Sequence, residues 1–120
     1  MDKLEKIFEM QNALDSKIIN ERNLKDINMS EWVQKEILAI MSELNEILGE
    51  INWKWWKNPK EINMSNLKEE IIDVLHFFVS MCLKVGMNAE EVFNIYLSKN
   101  KENIERQDGK SNKEGYEVKK

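Results

Sequence analysis

The chain has 120 residues and a formal net charge of −4, enough for one domain with a small core. One proline and four glycines are too little punctuation for a sandwich or barrel, and no run of about 18 apolar residues offers a membrane span. The acidic balance disfavours general nucleic-acid binding, and one cysteine with one histidine cannot fill a zinc site.

No charged-then-apolar leader opens the chain, and Cys82 alone makes no internal disulfide, so a cytoplasmic protein is expected. The charge is uneven. Lys99 to Lys120 holds seven basic and five acidic residues, a net of +2, which leaves −6 on the first 98. An acidic body with a basic tail needs an explanation.

Four helical patterns run along the chain, and no strand pattern competes with them. The first spans Lys3 to Glu21. Leu4, Ile7, Phe8, Leu14 and Ile18 follow helical spacing, with Gln11 inside the stripe. A glutamine there either faces water at the boundary or needs a partner if it is buried. The second helix is expected to start at Ser30 as N-cap, with Glu31 in its first turn. Val33, Ile37, Ile40, Met41, Leu44, Ile47, Leu48 and Ile51 form one broad face, with Glu36, Glu43, Glu46 and Glu50 on a strip beside it. Asn52 to Pro59 is then a loop carrying Trp53, Trp55 and Trp56, since Pro59 disfavours helix at Asn58.

The third helix begins near Ser65 or Asn66 and ends at Gly86, a C′ glycine. Its apolar residues nearly encircle it, leaving one polar strip: Glu69, Glu70, Asp73, His76, Ser80 and Lys84. Such a helix sits centrally in a bundle or at an oligomer interface. The fourth opens with a capping box, Asn88 and Glu91, and runs to about Arg106. Residues 107–120 are polar and glycine-containing, and are expected to form a mobile basic tail. The domain is thus placed at 1–106.

Glu43 and Glu46, like Glu70 and Asp73, are three residues apart and face one way. If the second and third helices pack side by side, four carboxylates converge, and a hard cation such as Mg²⁺ relieves the repulsion. Acid-x-x-acid spacing is common in so acidic a chain, and the alternative is a solvated face. His76, three residues beyond Asp73 on the same strip, is either satisfied by a neighbour or in contact with a ligand.

The sequence resembles the all-α dimeric dUTPase family, within the MazG-like all-α nucleoside triphosphate pyrophosphohydrolases. The resemblance is carried by Ile7-Phe8-Glu9-Met10-Gln11-Asn12-Ala13-Leu14-Asp15 and by the motifs Glu43-Leu44-Asn45-Glu46 and Glu70-Ile71-Ile72-Asp73. Asp73-Val74-Leu75-His76-Phe77 and Lys54-Trp55-Trp56 resemble the dUTPase branch more narrowly. Lys99, Asn103, Arg106 and Gln107, then Asn112-Lys113-Glu114-Gly115-Tyr116, resemble its phosphate-binding segments. This implies a four-helix MazG-like bundle completed by homodimerisation, or a higher homo-oligomer. It also implies Mg²⁺-dependent hydrolysis of dUTP (or dUDP) to dUMP, with pyrophosphate released from the triphosphate. Familiar members are longer, which leaves open whether a second subunit completes the pocket.

On this reading Glu43, Glu46, Glu70 and Asp73 hold two or more Mg²⁺ ions, and Glu43 or Glu46 is the general base. Lys54, Lys99, Asn103, Arg106 and Lys113 contact phosphates, which accounts for the basic tail. Trp56 stacks on the base, Gln11 and Asp15 read its edge, and His76 and Phe77 wall the deoxyribose. The nearest alternative is a related pyrophosphohydrolase of dCTP or several dNTPs, including modified ones. More distant are a non-enzymatic helical interaction module and a membrane-surface protein anchored through its Trp/Lys loop.

Overall fold

The computed structural model describes residues 1–119. It holds four helices: α1 (Lys3–Glu21), α2 (Met29–Glu50), α3 (Met64–Lys84) and α4 (Ala89–Gln107). Among the described residues there is no strand, so the chain is all-α as expected.

Every helix starts on a short polar side chain that accepts from an otherwise unpaired backbone N–H. Asp2 caps α1, accepting from the Glu5 amide at 2.8 Å, and Asn88 caps α4, accepting from Glu91 at 2.9 Å. The other two starts correct the sequence expectation. The cap of α2 is Asn28 rather than Ser30, and the cap of α3 is Asn63 rather than Ser65 or Asn66. Asn28 also donates from its amide to the Glu31 carboxylate at 2.8 Å. The pairing therefore fixes both ends of one turn, which a serine cap at residue 30 does not supply.

Three of the four ends follow one rule; α2 instead ends on Ile51 in extended conformation. At α3, the Gly86 amide donates to the Leu83 carbonyl at 3.1 Å and the Met87 amide to Cys82 at 2.9 Å. This is a Schellman closure with Gly86 left-handed at φ +84°. Gly109 plays the same part after α4, and Asn23, at φ +56°, after α1.

The chain groups into two compact units, Met1–Met87 and Asn88–Lys120. The sequence reading divides it after Arg106; the grouping keeps α4 with the residues that follow. In the first unit α3 is central, packing broadly on α2 and also on α1, as its nearly all-round apolar surface requires. Phe8, Val79 and Cys82 form its buried apolar centre.

Helices α2 and α3 run antiparallel in constant register. Glu46 lies against Glu70, Glu43 against Asp73, Glu36 against Ser80 and Trp32 against Lys84. Each step back along α2 is matched by an equal step forward along α3. The acid strip of α2 therefore meets the polar strip of α3 from Glu46 and Glu70 to Glu36 and Ser80. The tryptophan loop between them is closed at its neck by Asn52, which accepts from the Lys60 amide and donates to the Lys60 carbonyl, both at 2.8 Å.

Candidate active site

Where the two strips meet, carboxylate oxygens of Glu43, Glu46 and Glu70 lie within 4.8 Å of one another. Asp73 stands beside them, close enough for its charge to act on Glu43 and Glu70. The cluster is partly dry: Glu43 Oε2 and Glu70 Oε2 are buried and accept no hydrogen bond. Burial, then the charge and carboxyl of Glu46, then Asp73, raise the Glu43 carboxyl above its ordinary range. Glu70 is pushed up to about 7 by its hydrogen bond to Glu46, by burial and by repulsion from Glu46, Asp73 and Glu43. Orphaned buried oxygens and mutually raised carboxyls are what an all-oxygen cation site looks like with its protons in place of the cation. The donor set fits a hard divalent ion.

Glu43 and Asp73 also line one end of a cavity of about 460 Å³. Leu14, Ile18, Ile19, Trp32 and Phe77 supply its apolar walls, and Gln11, Asp15, Glu36, His76, Ser80 and Lys84 its polar groups. Gln11 is 7% exposed, so it is not the water-facing boundary residue. Its Nε2 donates to Asp15 Oδ1 at 2.9 Å, and its Oε1 lies 2.7 Å from His76 Nδ1. A carboxylate only accepts, so the amide must turn its oxygen to the imidazole. Nδ1 therefore carries the proton.

Farther in, Ser80 Oγ lies 2.7 Å from Asp15 Oδ2 and 2.8 Å from Glu36 Oε1. Lys84 Nζ reaches Asp15 Oδ2 at 3.3 Å, Glu36 Oε1 at 3.5 Å and Ser80 Oγ at 3.1 Å. It also sits 4.4 Å from the centre of the Trp32 ring, a cation–π contact.

The structure thus brings together Gln11, Asp15, Glu43, Asp73, His76 and Phe77 around one cavity, with Glu46 and Glu70 at the acid cluster. It does not bring Trp56 or Lys54 there. Trp56 is exposed and edge-packed between Trp53 and Trp55 at 5.7 and 4.6 Å between ring centres. Lys54 lines a separate small groove beside Asn52. The tryptophan on the cavity is Trp32. Glu36, Ser80 and Lys84 also join the site unassigned by sequence. All lie on the two polar strips, and extending the register from Glu43 and Asp73 by two helical turns finds Glu36 and Ser80.

The remaining predicted residues belong to the second unit. Arg106 pairs with Glu102, donates to Asn103 Oδ1 at 3.3 Å and lies 5.5 Å from the Tyr116 ring centre. Its guanidinium is already engaged, with only Nε buried and unpaired. The Lys113 amide donates to Ser111 Oγ at 3.1 Å, and Lys99 is exposed on α4.

A family model described as dUTPase matches residues 3–91. The chain belongs to the dUTPase family. The match spans the first unit and the start of α4; Lys99, Asn103, Arg106 and Lys113 lie beyond it. The chain is also similar to a dCTP pyrophosphatase of Enterobacteria phage T4, 35% identical over 101 residues, covering 64% of this chain and 59% of that one. A dCTP pyrophosphatase of Enterobacteria phage LZ5 is 35% identical over 75 residues, covering 62% and 44%. A DNA replication protein of phage T4 is 32% identical over 94 residues, covering 58% and 24%. The chain therefore spans less than two thirds of the length of each of these relatives. No solved structure matches significantly.

Proposed function

We propose that the protein hydrolyses a pyrimidine deoxynucleoside triphosphate to the monophosphate and pyrophosphate, with Mg²⁺. The observation that carries this is the joining of two things: a cluster of partly dry, unpaired carboxylates, and an apolar-walled cavity that begins at the same residues, Glu43 and Asp73. Family membership and the names of the phage relatives support it. The family description favours dUTP and the relatives' names favour dCTP, so both stand as substrates to be tested.

Glu43, Glu46, Glu70 and Asp73 would hold the metal. A divalent ion held by them would supply charge neutralisation for the phosphates and make a water more acidic. Glu43 or Glu46 takes the proton from the attacking water. The apolar walls exclude bulk water and orient the base, and Gln11, fixed between Asp15 and His76, offers a rigid polar edge to it. Phosphate contacts are proposed for Lys99, Asn103, Arg106 and Lys113; Lys54, on its separate groove, is not among them. For Arg106 this requires exchanging Glu102 for a phosphate, an even trade of one anion for another. A second copy of the chain is proposed to cover the apolar faces that one copy leaves open.

The test is pyrophosphate release in Mg²⁺ across dUTP, dCTP, dTTP, dATP, dGTP and UTP. Turnover of dUTP or dCTP that falls at least a hundredfold in Glu43→Gln and Asp73→Asn is expected. Turnover indifferent to both substitutions, or none with any nucleotide in Mg²⁺ or Mn²⁺, would replace the enzyme with a helical interaction module.

A further inference from the structure

The far end of the cavity carries an imbalance that packing does not explain. Glu36 is 6% exposed, and only one of its two carboxylate oxygens is used. Oε1 takes the contacts with Ser80 and Lys84; Oε2 is buried with no partner. The neighbours cannot supply the missing donor. Ser80 has one hydroxyl proton and two carboxylates, Asp15 and Glu36, within reach. Lys84 is already shared among Asp15, Glu36 and Ser80. Two carboxylates face one ammonium, so this buried end keeps an excess negative charge and a spare acceptor. A buried acceptor left unpaired is costly in the free protein and is relieved by a ligand that brings an N–H.

The position of Glu36 says which part of a ligand that is. Glu36 precedes Glu43 on α2 by seven residues, roughly 10 Å of helix, and both line the same cavity. A nucleotide held with its phosphates at the Glu43 and Asp73 end directs its base toward the other end. In a pyrimidine, ring position 4 lies directly across from the nitrogen that carries the sugar, so the group on position 4 leads. In cytosine this group is an amine, a donor; in uracil and thymine it is a carbonyl oxygen, an acceptor. An unpaired carboxylate attracts the first and repels the second.

We infer that Glu36, backed by Ser80 and Lys84, reads the exocyclic amine of a cytosine base and makes the site selective for cytosine over uracil nucleotides. This rests on the nucleotide-hydrolase reading above and names the base that it leaves open. Asp15 has both oxygens engaged, Oδ1 by Gln11 and Oδ2 by Lys84, so Glu36 is the specificity determinant and Asp15 a positioning residue. Trp32, held by Lys84, provides the flat surface at that end in place of Trp56.

Two measurements test this separately from catalysis. Equilibrium binding of dCMP and dUMP is compared for the natural chain and for Glu36→Gln, and hydrolysis of dCTP and dUTP is compared for the same pair. The natural chain is expected to favour the cytosine nucleotide roughly tenfold to a hundredfold, the range set by one hydrogen bond to a charged group. Glu36→Gln, which turns one acceptor into a donor, is expected to bring that ratio close to unity or reverse it. A natural chain that binds dUMP as well as or better than dCMP overturns the inference, even if the variant does not fold. So does a Glu36→Gln protein that folds and keeps the ratio. Cytosine-selective binding that depends on Glu36 but comes without turnover would uphold this inference and sink the hydrolase. Turnover with no base preference would do the reverse.

Discussion

Glu70 is the residue whose chemistry departs furthest from its ordinary behaviour. Its carboxyl is pushed up to about 7 because Glu46, Glu43 and Asp73 crowd it in a partly dry setting. The group binds its proton more tightly folded than unfolded. Its contribution to stability is therefore fully present below the ordinary value of 4.5 and is lost as pH rises through about 7. The metal-free protein is expected to lose thermal stability across that window, and Mg²⁺ is expected to restore it, because the cation replaces the proton. Metal binding should tighten over the same interval and release protons at neutral pH. Calorimetric titration of Mg²⁺ in two buffers of different ionisation enthalpy reads the proton count directly. Glu70→Gln should flatten the stability slope between pH 4.5 and 7; an unchanged slope would remove Glu70 as its source. The approach of these acids was legible from the sequence. The raised carboxyls of Glu43 and Glu70 were not, because they depend on which oxygens are dry and on how closely Glu46 approaches both.

Among the elements, the helix bodies were legible because their apolar spacing extends over several turns. The starts of α2 and α3 were not. A serine N-cap is a general preference, and Asn28 and Asn63 outcompete it through local partners. Asn28 and Glu31 repeat the spacing of the α4 capping box, Asn88 and Glu91, so the signal is present in the chain. The C-terminal end of α3 was readable because a left-handed residue must follow the helix and glycine takes that conformation without strain. A methyl group at Gly86 meets nothing within 4 Å, so Gly86→Ala isolates the backbone term. It should lower unfolding free energy by about 1 kcal/mol while leaving base preference unchanged. Urea unfolding of the two proteins checks it; a loss near zero would mean that the Schellman closure does not hold φ positive in solution. The register between α2 and α3 matters more for function than either end. It turns two polar strips, each unremarkable alone, into a metal cluster at Glu43 and a donor-poor pocket at Glu36. The motif around Trp56, which resembles the dUTPase branch, points to that residue for the base. Trp32 is found there instead because it shares its strip with Glu36 and meets Lys84 in register.

Over the whole molecule, the apolar residues outnumber the places one copy provides for them. Ile37, Met41, Leu44 and Leu48 recur along α2 at the spacing of a packing seam, yet each is 39% exposed or more. Ile71, Ile72, Leu75 and Phe78 are left open in the same way on α3. Scattered exposed apolar side chains are ordinary, but a continuous seam is not. A second copy seated on the seam buries it by symmetry, since the patch offered and the patch required are the same. The chain is therefore expected to sediment as a dimer at micromolar concentration, with a melting temperature that rises with concentration. Met41→Lys puts a charge in the middle of the seam without touching the acid cluster or Glu36. In a monomer that substitution changes stability by only about 0.5 kcal/mol. In the proposed dimer it should shift sedimentation to the monomer and remove the concentration dependence of melting. A natural chain that stays monomeric at 100 times the assay concentration would show that the seam is covered in some other way. The hydrolase reading would not depend on that result, because the acid cluster and the cavity are both built within residues 1–87 of a single chain.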